Sequence, residues 1–458
     1  MKIIILGAGQ VGTSIAENLA SENYDITVVD LNSQHLANLQ DRLDIRTVTG
    51  HASYPDILIQ AGGEEADLIL AVTNDDEVNM VACQLAYTLF HTPTKIARIR
   101  APAYLSHNRI FSRESIALDV IISPEELVTR YIEHLIEYPG TLQVLDFSNE
   151  KVQMVALKAY YGGPLVGHEL RDLHKHLPKI DTRIAAIFRR GQAIIPDGHT
   201  IIEANDEVFF IAARENIRQV MRELRKLDKP YKRIIIAGGG NIGMRLARAL
   251  ETRYQVKVID HNSKRSRMIS EVLDNTIVLQ GDCADKDLLL EENIEHTDVF
   301  CALTNADEAN ILSAMLAKRL GARKVMALIN RSSYVDLVES DEIDIAISPQ
   351  QITIGSLLSH IRQGDIVVVH SLRRGAAEAI EAIAHGDPRS SQVVGRTVDR
   401  VKLPHGTSII AIVRGDEVII AHHDTLIQEE DHIILFMVDK KRVHDVERLF
   451  QTKEGFFS

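Results

Sequence analysis

The chain has 458 residues, too many for one ordinary domain, and its 45% apolar and 25% charged residues are the composition of a soluble globular protein. A formal net charge of −13 argues against a nucleic-acid binder, which carries a basic face, and no run approaches the roughly 18 consecutive apolar residues of a membrane helix. Cys83, Cys283 and Cys301 stand at unrelated spacings with no disulfide or metal pattern, and no signal-peptide pattern follows Met1 and Lys2; the expectation is an intracellular protein with free thiols.

In chain order, short apolar strands are predicted over residues 2–6, 25–29, 46–49, 67–72 and 95–100, with helices over 11–20, 33–43 and 76–90. Such alternation predicts right-handed βαβ units and a parallel sheet covered on both faces. From 143 to 213 the pattern changes to short runs between turn signals, such as Arg190-Gly191 and Pro196-Asp197-Gly198. That reads as a small β-rich or α+β domain. The polar segment Lys226-Leu227-Asp228-Lys229-Pro230 is the expected joint, after which the whole arrangement returns.

The return is visible residue by residue. Ile3-Ile4-Ile5-Leu6-Gly7-Ala8-Gly9-Gln10-Val11-Gly12 reappears as Ile234-Ile235-Ile236-Ala237-Gly238-Gly239-Gly240-Asn241-Ile242-Gly243, 231 residues later (238 − 7). Thr73-Asn74-Asp75-Asp76-Glu77-Val78-Asn79 returns as Thr304-Asn305-Ala306-Asp307-Glu308-Ala309-Asn310, and Ile122-Ser123-Pro124 as Ile347-Ser348-Pro349. In the small domains, Ile184-Ala185-Ala186-Ile187 and Asp206-Glu207-Val208 match Ile409-Ile410-Ala411-Ile412 and Asp431-His432-Ile433. The fold class is therefore α/β, with tandem Rossmann-like domains each followed by a small α+β domain. The boundaries read as 1–138, 139–228, 229–362 and 363–458.

Each glycine loop follows a strand and opens a helix. Gly7 permits a tight turn, Gly9 lets backbone N–H groups from Ala8, Gln10 and Val11 approach a pyrophosphate, and Gly12 lets helix and strand pack closely. Asp30 lies 18 residues beyond Gly12 (30 − 12), where a carboxylate can bind a ribose 2′-hydroxyl. Gly238, Gly240, Asn241, Ile242 and Gly243 form the second loop, with Asp260 as its acid. A carboxylate there repels a 2′-phosphate, so NAD(H) or another adenine nucleotide, ATP or ADP, is favoured over NADP.

Further candidates carry two readings. Gly50-His51 and Gly281-Asp282 close the third strand, near an adenosine or simply at a turn. Thr73-Asn74 and Thr304-Asn305 end the fourth strand, where a ligand could bind; Thr73 to Asp76 and Thr304 to Asp307 also have capping-box spacing. Arg98 and Arg100 could pair with phosphate or be a solvated strand end, and the matching stretch keeps only Arg331, in a shifted register. His174, His176 and His422-His423 form no metal pattern, and no catalytic arrangement stands out.

With these residues in place, the sequence resembles the TrkA family of potassium-uptake regulators over essentially its whole length. The resemblance is carried by the runs 1–12, 73–79 and 238–243, by Ile136-Glu137-Tyr138-Pro139-Gly140, and by the last apolar run 433–438. It implies RCK N domains alternating with RCK C domains and a ring-like homotetramer. It also implies peripheral attachment, at the cytoplasmic face of the bacterial inner membrane, to a membrane-embedded TrkH- or TrkG-type transporter. Carried over residue by residue, the family's nucleotide positions are Gly7, Gly9, Gly12, Asp30, Thr73 and Arg98, with Gly238, Gly240, Gly243, Asp260 and Thr304. The missing partner of Arg98 is the departure. The expected activity is gating of transport, not catalysis; the alternative is an NAD-dependent oxidoreductase using the first loop.

Overall fold

The computed structural model describes residues 1–20, 24–112, 114–224, 229–338, 342–362, 365–372, 376–439 and 442–451. Most of the expected joint, Lys226-Leu227-Asp228, lies outside the described residues. The chain divides into two units, residues 1–127 with 349–361, and residues 128–348 with 362–458.

The first unit is built on six parallel strands in the order Arg46–Thr49, Asp25–Asp30, Lys2–Leu6, Leu68–Ala71, Thr94–Arg98 and Val120–Ile122. Ile3, Ile4, Ile5 and Leu6 are all at most 2% exposed, as a strand covered on both faces requires. Strand order reverses between Lys2–Leu6 and Leu68–Ala71. That switch opens a crevice at the carboxyl ends of the strands, above the first glycine loop. The predicted helix over 76–90 is an α-helix, Asp76–Leu85, that ends in a π-helical turn, Ala86–Phe90.

One element of this unit comes from far along the sequence. The helix Pro349–Ile361 packs on the helix Gln10–Ala20, where the Ser14 hydroxyl donates to Gln350 Oε1 at 2.9 Å. Its counterpart after the first sheet, Pro124–Glu137, lies mostly in the second unit, where Glu133 pairs with Arg253. Each helix starts on the proline of the repeated Ile-Ser-Pro, whose fixed φ and missing N–H suit a first helical position. The repeated tripeptide was visible in the sequence; the helices were not predicted.

The second unit holds the second parallel sheet, ordered Ile277–Gln280, Gln255–Asp260, Arg233–Ala237, Val299–Ala302, Lys324–Leu328 and Ile345–Ile347. It also holds two antiparallel five-stranded sheets. The first runs Thr141–Phe147, Val152–Lys158, Glu207–Ala213, Thr182–Arg189, Gln192–Ile194. The second runs Ile366–Leu372, Ala377–Ile383, His432–Met437, Thr407–Arg414, Glu417–Ile420. The match extends to defects: register shifts at Leu142 and Ala185 recur at Val367 and Ile410. Asp206 and Asp431 each receive a bidentate arginine, Arg189 and Arg414, with all four N–H···O distances between 2.8 and 2.9 Å.

These two sheets share one core. Phe147, Met154, Ala156, Phe188 and Phe209 of the first pack with Leu372, Ala379, Ile410, Ile434 and Phe436 of the second. Intervening residues such as Val155, Leu157 and Phe210 face their own helix, Ile217–Leu224. Both faces of the central strands are thereby buried, so their sequences lack the apolar–polar alternation of a half-exposed strand.

Candidate functional site

At the first loop, Gly7 adopts φ +109°, and a Cβ there would approach the Thr73 backbone to 3.1 Å. Gly238 has φ +106° and the same crowding, so both turns need glycine. A Cβ on Gly12 would lie 1.8 Å from the Gly7 carbonyl oxygen, and on Gly243 1.9 Å from that of Gly238. Nothing lies within 4 Å of a Cβ placed on Gly9 or Gly240, which leaves open space on the side where the helix presents its first N–H groups. Ala8, Gln10 and Val11 lie at the entry to the helix Gln10–Ala20, and Asn241 and Ile242 open Asn241–Leu250.

The acids hold the loops in shape. Ala8 N donates to Asp30 Oδ2 at 2.6 Å, and Asn32 N to Asp30 Oδ1 at 2.8 Å. Gly239 N and Asn262 N donate to Asp260 in the same way, each at 2.8 Å. Asp260 differs in also accepting from Arg265 Nη1 at 3.1 Å and in being 3% exposed. Burial pushes its carboxyl pKa upward, but the backbone donors and the guanidinium outweigh that and hold it below the ordinary carboxylate range.

The fourth-strand motif works differently from a capping box. Asp75, not Thr73, caps the helix Asp76–Leu85, accepting from Val78 N at 2.8 Å. Thr73 instead donates its hydroxyl to Asn79 Oδ1 at 2.7 Å, and Thr304 does the same to Asn310. The asparagine amide reaches across to the end of the fifth strand, Asn79 to Arg98 O and Asn310 to Leu328 O, both at 2.9 Å. Asp76 and Asp307 accept backbone N–H bonds just beyond that strand, from Arg100 and Ala101 and from Asn330 and Arg331. The capping-box reading is corrected: carboxylates and amides here tie two strand ends into one rim. Asn79 and Asn310, both fully buried, were quoted in the sequence motif without a role.

The same bonds settle the register of the arginines. Arg98 is equivalent to Leu328, and Arg100 to Asn330; Arg331 matches Ala101 instead. The single-residue slip arises at the π-helical turn Ala86–Phe90, because the second helix, Asp307–Arg319, runs on without one. Arg98 has 19% of its side chain exposed, stands 3.5 Å from Glu125, and its Nε lacks a hydrogen-bond partner. Burial pushes its pKa down while Glu125 opposes the change. Arg100 is committed to the Asn74 carbonyl and to Asp76, and Arg331 to Glu308 and Tyr334.

At the third strand, Gly50 N donates to Asp30 O and Gly281 N to Asp260 O. A Cβ on either glycine would strike a side chain, Ile57 at 2.4 Å or Leu288 at 2.5 Å, so close packing already explains both. His51 stacks on Tyr54 at 4.6 Å, and Asp282 accepts from Ala284 N. His176 pairs with Glu223 and His422 with Asp181. Among the described residues, one group could offer three metal-ligand atoms together, His134, Asp146 and Glu150. It is occupied internally: His134 meets Asp146 at 3.0 Å and Glu150 pairs with Arg214. Burial pushes the Cys83 and Cys301 thiols up to about 12, so neither is reactive. No helix among the described residues is long and apolar enough to cross a membrane.

Known proteins share this arrangement. The TrkA-N domain family matches residues 3–124 and 234–349, and the TrkA-C domain family residues 154–225 and 388–451. The Trk system potassium uptake protein TrkA of Halomonas elongata is 63% identical over 457 residues, 100% of both chains. Among solved structures, the GsuK RCK domain superposes with TM-score 0.62 at 19% identity, covering 98% of this chain and 94% of that one. The GsuK channel bound to NAD gives TM-score 0.62 at 19% identity, covering 98% and 78%. At such identity these structures speak for the fold alone. Matched by both domain families and by a relative at 63% identity over its full length, the chain belongs to the TrkA family of Trk-system potassium uptake proteins.

Proposed function

We propose that this protein is a peripheral regulatory subunit that binds NAD(H), or ATP or ADP, at its glycine loops and thereby gates a Trk-type potassium transporter. The observation that carries the reading is two dinucleotide-type loops, each with its acid, in a chain whose full-length relative is a potassium uptake protein. Gly7, Ala8, Gly9, Gln10, Val11 and Gly12 would face the phosphates, Asp30 the ribose, and Thr73 and Arg98 the far half of the ligand. Gly238, Gly240, Asn241, Ile242, Gly243, Asp260 and Thr304 would do the same in the second loop. Gly50, His51, Asn74, Gly281 and Asp282 border the two sites. The NAD bound in the GsuK channel supports a dinucleotide in such a fold.

The partner is a membrane-embedded transporter of TrkH or TrkG type, approached from the cytoplasmic face of the inner membrane. The subunit self-associates as a ring-like homotetramer of four domains per chain, 1–138, 139–228, 229–362 and 363–458. The chain links the first glycine loop to the second repeat. The helix Gln10–Ala20 starts at the first loop and is braced by Pro349–Ile361, which follows directly on the second parallel sheet. A nucleotide that favours one placement of the first helix therefore biases an element tied to the second repeat. Switching such an equilibrium from 1:99 to 99:1 takes about 5.5 kcal/mol of differential binding, which several sites can share. No observation favours the oxidoreductase alternative, and the reading is of a regulator, not an enzyme.

Calorimetric titration with NADH, NAD, ATP and ADP, on the intact protein and on Asp30→Ala and Asp260→Ala, tests the binding. Potassium flux through the reconstituted transporter, with and without saturating nucleotide, tests the gating. Site-selective loss in the variants and a nucleotide-dependent flux are expected. Binding to neither loop, or an unchanged flux at saturation, would sink the proposal.

A further inference from the structure

Immediately after its acid, each parallel sheet continues into an equivalent turn and helix. Both turns are capped by an asparagine, Asn32 for Ser33–Gln40 and Asn262 for Ser263–Val272. Their backbones match, but their charges do not. Residues 31–37 read Leu-Asn-Ser-Gln-His-Leu-Ala, with no lysine, arginine or acid. Residues 261–267 read His-Asn-Ser-Lys-Arg-Ser-Arg, with Lys264, Arg265 and Arg267 and no acid.

Arg265 is the consequential member. Its Nη1 lies 3.1 Å from Asp260 Oδ2, an oxygen that already accepts from Gly239 N, while Oδ1 accepts from Asn262 N. Asp260 is thus charge-compensated, and its side chain is almost wholly buried. Arg265 keeps 39% of its own side chain exposed, with donors left over from the fork. In the first loop the equivalent residue is His35, and no ion pair to Asp30 occurs among the described residues. A bare carboxylate accepts a ribose diol and repels a 2′-phosphate. A carboxylate covered by a guanidinium competes poorly for the diol, and the guanidinium presents a bidentate face to phosphate at the same place.

We infer that the second glycine loop accepts an adenosine whose ribose carries a 2′-phosphate, with Arg265 as the specificity-determining residue, while the first loop excludes it. This rests on the nucleotide-binding reading above and reverses, for the second loop alone, the preference for NAD(H) that its acid suggests. NADPH and 2′,5′-ADP both carry the 2′-phosphorylated adenosine; the former adds the nicotinamide half.

The test is fluorescence titration of the intact protein with NADPH and with NADH, repeated with 2′,5′-ADP as competitor. Arg265→Ala should weaken NADPH about tenfold or more while leaving NADH within about twofold. The reciprocal His35→Arg should add NADPH binding at the first loop, which keeps the inference testable if the first variant folds poorly. Displacement of NADPH by 2′,5′-ADP would place recognition in the adenosine phosphate. NADPH that fails to bind where NADH binds would overturn the inference and leave the general nucleotide reading standing. So would an Arg265→Ala variant that weakens both ligands equally. Failure of NADH and NADPH alike would overturn this inference too and remove NAD(H) from the nucleotide reading, leaving it to rest on the ATP and ADP titrations.

Discussion

The two halves of the chain share a backbone almost defect for defect and differ in where they put charge. In the first half, Arg98 stands at the end of the fifth strand and the turn after Asp30 is uncharged; in the second, Leu328 replaces the arginine and a basic turn follows Asp260. The small domains diverge likewise. Buried Gln153 and Ala156 of the first are matched by Glu378 and Glu381 of the second, each 1% exposed. Glu378 meets buried Arg362 at 2.6 Å, and Glu381 accepts from Ser148 N and Oγ and lies 2.6 Å from His432 Nδ1. Glycines, bulges and bidentate arginines recur because packing and backbone geometry demand them at both places. Charges that packing does not demand are free to differ, and they are what can make two similar sites answer to different ligands.

The largest effect should come from the buried pair that only the second half contains. Arg362→Ala takes from the buried Glu378 carboxylate its guanidinium partner and should cost about 3–5 kcal/mol, whereas Gln153→Ala should cost about 1–3 kcal/mol. Denaturant unfolding followed by circular dichroism compares them. Equal midpoints would show that the acid and the amide are interchangeable after all. The double variant Arg362→Met with Glu378→Met should recover most of the loss.

The glycine loops should behave alike where the backbone decides. Gly12→Ala and Gly243→Ala each force a Cβ to within 2 Å of a loop carbonyl, at 1.8 and 1.9 Å, and each should cost about 1–3 kcal/mol and silence its own loop. Gly9→Ala and Gly240→Ala meet nothing in the protein and should fold normally while crowding a ligand. Thermal melts with and without NADH separate the pairs; a normal melt for Gly12→Ala would contradict the packing argument.

Arg98→Leu imports the second half's residue into the first. It should weaken nucleotide at the first loop about tenfold, since a charge-assisted hydrogen bond is lost, and leave the second loop unaffected. An unchanged first-site isotherm would mean that Arg98 serves Glu125 alone.

The smallest effect is the pH dependence of one pair that the second half lacks, because Ser359 and Ser371 replace His134 and Asp146 there. Burial alone would lower the His134 pKa, yet Asp146 outweighs it and raises it above 6.5. Burial would likewise raise Asp146, but His134 holds it below 3.8. A raised histidine stabilises below its unfolded value and loses that contribution as pH rises through its folded value; a lowered aspartate loses its contribution as pH falls. The pair is therefore fully stabilising between 3.8 and 6.5 and fades on either side. Glu137, Glu150 and buried His370 face the same pair. Melting temperature should decline above that window in the native chain and be flatter in His134→Gln. Identical profiles would remove the pair from consideration.

Sequence alone determined the duplication, the alternating strands and helices, the two glycine loops and the acids that follow them. These are local: a positive φ at Gly7, a Cβ clash at Gly12 and an apolar run such as Ile3–Leu6 are written in neighbouring residues. The fold alone decided what depends on residues far apart in sequence. Pro349–Ile361 braces the first helix because an exposed apolar helix face must be covered, and no local pattern names the partner. The two antiparallel sheets bury one another, which hides the alternation that would have marked their strands. Arg98 aligns with Leu328 only because a π-helical turn absorbs one residue. Arg265 reaches Asp260 only once turn and strand end are folded together, and a charge's partner is a matter of distance in space, which spacing along the chain does not report.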